Sequence, residues 1–160
     1  MRRRMNLRRY LDYQSMTPLA VVRVALMGAV VGAMTWLLLL GLERYILKPL
    51  FCDVSNSYCT AIPTMALSMA LVVGHFIGLY ILIRLGVIRP LLVVLAVIAS
   101  LWGFQSWISG HAWWLATLYA GMLFGLAYVT YSWINRLLSF PLALILTVIA
   151  IVVARLLITS

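Results

Sequence analysis

Acidic residues are almost missing from this chain: Asp12, Glu43 and Asp53 stand against twelve lysines and arginines in 160 residues. None of the three falls inside a long apolar run. That disfavours proton-driven antiport, because such carriers hold an acid within a helix. No two carboxylates are placed for acid–base work, and no Walker loop, G-x-S-x-G, H-E-x-x-H or kinase signature occurs. The chain therefore reads as non-enzymatic. Histidine is equally scarce. His75 and His111 are too few for a dihaem b-type cytochrome, in which each haem normally takes two axial ligands, and too few for a metal centre. No cofactor or metal is expected. Heptads, tandem repeats, low-complexity tracts and long linkers are missing as well, so residues 1–160 read as a single domain.

What is present is apolar. Hydrophobic residues make up 66% of the chain and charged residues 9%, which excludes a soluble globular domain, a disordered chain and a coiled coil. Five apolar runs, at about 18–42, 64–83, 90–107, 112–134 and 140–158, predict an all-α integral membrane protein with five transmembrane helices. At 1.5 Å per residue each can cross about 30 Å of hydrocarbon, the third only narrowly. Pro18, Pro90 and Pro141 stand at or near the first turn of their runs, where a proline removes no hydrogen bond. The net charge of +9 does not point to nucleic acid, since the basic residues cluster at the ends of apolar runs and form no basic face.

Charge placement gives the expected orientation. Arg2, Arg3, Arg4, Arg8 and Arg9 in the basic segment 1–17, Arg84 and Arg89 after the second run, and Arg136 after the fourth all belong in the cytoplasm by the positive-inside rule. Five spans then place the C-terminus on the periplasmic or extracellular side of a bacterial inner membrane, with Arg155 able to snorkel to the outer headgroups. Residues 43–63 form the outer loop, where Arg44 and Lys48 are partly neutralised by Glu43 and Asp53. Trp102, Trp107, Trp113 and Trp114 converge on an outer turn around Ser109, Gly110 and His111, as an interfacial belt does. The first run is longer than a signal peptide and lacks a small-x-small cleavage pattern, so it reads as an uncleaved anchor. The N-terminal arginines, with Tyr10 and Tyr13, can also hold anionic lipid headgroups.

Small residues recur at four-residue spacing on three runs. Ala66, Ala70, Gly74 and Gly78 line one stripe of the second; Gly28 and Gly32 with Ala25, Ala29 and Ala33 mark the first; Gly121 and Gly125 mark the fourth. Such faces allow backbones to approach closely. The bland reading is packing among the chain's own helices. The sharper one is an unpaired face that docks onto a second copy or another membrane protein.

Cys52 and Cys59 share the outer loop, so a disulfide is expected in an oxidising compartment, worth roughly 2–3 kcal/mol on the chain-entropy model. A redox-active pair is the alternative, although thiol oxidoreductases relay electrons through more than one pair. Arg23, His75 and Gln105 are the candidate intramembrane polar site. Arg23 by default snorkels to phosphates and His75 by default bonds across to a neighbouring helix, whereas convergence of all three on one cavity would indicate solute binding or transport.

The reading that best fits these features is a non-catalytic inner-membrane protein that docks by helix–helix contact onto a membrane partner or itself. Accessory subunits, assembly or regulatory factors, and immunity or exclusion proteins share this description. A small-solute binding or transport subunit is the alternative, and a thiol–disulfide oxidoreductase comes third.

Overall fold

Pro18 opens α1 (Pro18–Gly41), a 24-residue helix with one charge, Arg23. Its inward stripe is Val24, Gly28, Val31, Gly32, Thr35, Trp36 and Leu39. Its outward residues, among them Leu26, Val30 and Met34, are as apolar as the inward ones and more than half exposed. A helix hydrophobic all round needs an apolar surrounding on both faces, which a bilayer provides. In this computed structural model residues 18–52, 59, 61–108, 110–137 and 139–159 are described, and every element among them is helical. The arginines at positions 2–9, with Asp12, Asp53 and Ser109, lie outside the described residues.

The first helix does not stop near residue 42 as the sequence pattern predicts. It runs on through a π-helical turn, Leu42–Leu47, into α2 (Lys48–Phe51), so that Pro18–Phe51 is continuous helix. The Lys48 amide donates to the Glu43 carbonyl five residues back. Pro49 explains the wider turn, because its ring clashes with the carbonyl four residues earlier and it brings no amide of its own. The expected outer loop is shortened from both sides, since α3 (Ile62–Arg84) begins with Pro63 in its first turn.

The third run also departs from expectation. Instead of one span over 90–107, α4 (Pro90–Leu101) ends after 12 residues, about 18 Å of helix. Trp102 is extended and Gly103 takes φ +88°, a conformation that disfavours side chains. The chain then re-enters helix as α5 (Gln105–Ile108). The turn carries Phe104 into the interior, where its ring lies 5.8 Å from Trp36 and 5.6 Å from Phe124. Across the break, Arg155 donates to the Trp102 carbonyl. It therefore caps the C-terminal end of α4, where carbonyls lack intrahelical partners.

Two helices complete the chain, α6 (Trp113–Leu137) and α7 (Phe140–Thr159). The α1 helix lies between α3 and α6 and runs antiparallel to both, while α4 and α7 pack on α6. Pro18–Phe51, Ile62–Arg84 and Trp113–Arg136 are each long and apolar enough to cross a membrane; Pro90–Leu101 and Phe140–Leu156 are shorter apolar helices.

Candidate functional site

The three glycine faces meet each other. A Cβ at Gly28 would stand 3.0 Å from Tyr128 and 3.1 Å from the Gly125 Cα; one at Gly125 would stand 2.9 Å from the Ala25 carbonyl oxygen; one at Gly121 would stand 3.1 Å from that of Ala29. The α1 and α6 backbones are thus in reciprocal contact through both GxxxG pairs. On α3, Gly74 is covered by the Thr35 hydroxyl and Gly78 by the Tyr128 hydroxyl. Ala66 and Ala70 are fully buried above them. All three faces are engaged inside the protein, which is the bland reading of the pattern.

Arg23, His75 and Gln105 do not come together. Arg23 is exposed on the outer surface of α1. His75 is buried at 3% exposure; its Nδ1–H donates to the Leu71 carbonyl, its ring stands 5.8 Å from Phe124, and its Nε2 has no hydrogen-bond partner. Gln105 is half-buried beyond the α4 break. The cavity that Gln105 lines includes neither Arg23 nor His75.

That cavity is the candidate site. It is a cleft of about 710 Å³ at the end of the bundle that holds the π-turn, the cysteines and the tryptophan-rich turn. Trp36, Leu39 and Leu67 contribute apolar walls; Glu43, Arg44, Lys48, Thr64, Gln105 and His111 contribute polar ones. Lys48 and Glu43 form an ion pair at 2.8 Å, with Glu43 the more buried partner. Arg44 is exposed beside them. Trp36 is 3% exposed and its indole N–H has no hydrogen-bond partner, a donor left over in a setting where unpaired polar groups cost free energy. Cys52 and Cys59 are joined in a disulfide with Cα atoms 5.4 Å apart, tying α2 to the chain entering α3. Trp102, Trp107, Trp113 and Trp114 are all exposed around the same end, as the sequence predicts.

Glu43, the cleft's carboxylate, is held by Lys48, and no cluster of three metal-ligating side chains exists among the described residues. Sequence reasoning missed Trp36, and it expected Glu43 to offset Lys48 in a loop, where the structure sets the pair on a π-turn. A five-residue separation does not face itself on an α-helix, so only the π-turn makes this pairing possible. The chain matches no known protein family, and no curated protein or solved structure is similar to it.

Proposed function

We propose that this chain is a five-span, non-catalytic binding protein of the bacterial inner membrane, with its N-terminus in the cytoplasm and its C-terminus outside. Its work is to dock onto a membrane partner as an accessory subunit, an assembly or regulatory factor, or an immunity or exclusion protein. The dispersal of Arg23, His75 and Gln105 carries the reading, because a solute carrier would gather its intramembrane polar groups around one path. The glycine faces, engaged internally, supply a rigid scaffold. Recognition therefore moves from those faces to the cleft at the outer end, where Arg44, Gln105 and the Trp36 indole offer donors among aromatic walls.

Purification from native membranes in mild detergent, followed by mass spectrometry, tests the proposal. The expected result is a membrane protein recovered at stoichiometric level and lost from the Thr64→Trp variant, which fills the cleft. Recovery of the chain alone would sink partner docking. A small molecule retained by the natural chain and lost with Thr64→Trp would transfer the function to solute binding, for which a cleft of this size is adequate.

A further inference from the structure

The opposite end of the bundle carries arginines whose buried nitrogens lack acceptors. Arg89 Nη1 and Arg136 Nε are buried without a hydrogen-bond partner. Glu43, the one acid among the described residues, belongs to the far end of the molecule. Arg89 adopts the left-handed conformation (φ 56°) at the start of α4, and its guanidinium lies 5.0 Å from the centre of the Phe140 ring. Arg136 ends the spanning part of α6. One turn before it, the Ser132 hydroxyl is also buried without a partner. Guanidinium nitrogens removed from water without an acceptor are costly, and an anion with several acceptor oxygens lowers that cost.

A second observation says what the anion is attached to. Beginning at Trp133 and Ile134, within a turn of Arg136, an apolar groove of about 550 Å³ runs between α6 and α7 past Leu126, Ala127, Ile149 and Val153. From Ile134 to Leu126 it follows about 12 Å of helix, faces the bilayer, and ends near Ser100 and Leu101. An acyl chain fits this lining, and Arg136 follows Ile134 by two residues toward the end of the bundle where Arg89 lies.

We propose that Arg89 and Arg136 bind the phosphate of an anionic phospholipid from the surrounding bilayer, with one acyl chain laid in the α6–α7 groove. This site is separate from the cleft and does not depend on what docks there.

Full-length protein, delipidated in a neutral detergent, is exposed to phosphatidylglycerol, to phosphatidylcholine of the same chains, or to inorganic phosphate. Native mass spectrometry counts retained lipid, and thermal unfolding reports stabilisation. Phosphatidylglycerol should be retained roughly tenfold or more over phosphatidylcholine, from the attraction of two cations near the surface. The Arg89→Gln/Arg136→Gln variant should lose that preference. Ala127→Trp, which leaves both arginines and obstructs the groove, should lower retention of phosphatidylglycerol while the chain remains folded. Equal retention of the two lipids by the natural chain overturns the proposal. Persistence of the preference in the double variant overturns it too, assigning the effect to the basic N-terminal residues. Stabilisation by inorganic phosphate equal to that by phosphatidylglycerol, with Ala127→Trp unaffected, overturns the lipid assignment in favour of a free anion.

Discussion

Gly32 has no room for a methyl group: a Cβ there would meet the Ala120 carbonyl oxygen and the Phe124 Cβ at 2.6 Å each. Both belong to α6, so relief requires moving a backbone or a fully buried ring. Gly32→Ala should therefore destabilise by about 1–3 kcal/mol despite alanine's better helix propensity. Gly41, at the end of α1, has nothing within 4 Å of an added Cβ. Gly41→Ala should be neutral or stabilise by up to about 1 kcal/mol. Thermal unfolding of the two variants in one detergent separates them, and a comparable loss from both would refute the close α1–α6 contact. The four-residue spacing made Gly28, Gly32, Gly121 and Gly125 legible as close-approach positions. Their partners were not legible, because spacing along one helix carries no information about which helix arrives opposite.

At the scale of elements, the apolar runs and prolines marked where helices begin, and Pro18, Pro90 and Pro141 each stand in a first turn. The ends were harder to read because they depend on distant residues. Continuous hydrophobicity from residue 90 to 107 conceals a break whose determinants are the positive φ of Gly103, the inward packing of Phe104 and an arginine 53 residues further along. Arg155 satisfies a carbonyl that has no helical partner in a setting short of water. Arg155→Gln should cost about 1–3 kcal/mol by leaving that acceptor poorly satisfied. It should also raise amide exchange over residues 103–108, while exchange in α3 remains near that of the natural chain. Uniform exchange changes across all helices would show that Arg155 supports the whole bundle and has no local capping role.

For the whole molecule, the arrangement of charges and cysteines makes a joint prediction about sidedness. Arg84, Arg89 and Arg136 lie at the end of the bundle where α1 begins, while Lys48, the disulfide, Trp102, Trp107, Trp113 and Trp114 lie at the other. In the proposed orientation, Cys52 and Cys59 of intact cells should resist a membrane-impermeant maleimide until a reductant is added, and then react from outside. Cys52→Ser/Cys59→Ser should lower stability by roughly 2–3 kcal/mol through a looser unfolded chain and leave partner recovery intact. Loss of function at unchanged stability would instead point to a pair that cycles. The span count rests on α4, whose 12 residues cover little more than half of the hydrocarbon on their own. The Gly103 turn and α5 carry the chain onward from there to Trp113, beside the cleft. If that route completes a crossing, a phosphatase reporter that needs an oxidising compartment should be active when fused after Ser160 and inactive when inserted between Gly86 and Arg89. Activity at the internal site would invert the molecule. Inactivity after Ser160, with the cysteines still reached from outside, would mean that α4 or α7 fails to span, leaving an even number of crossings.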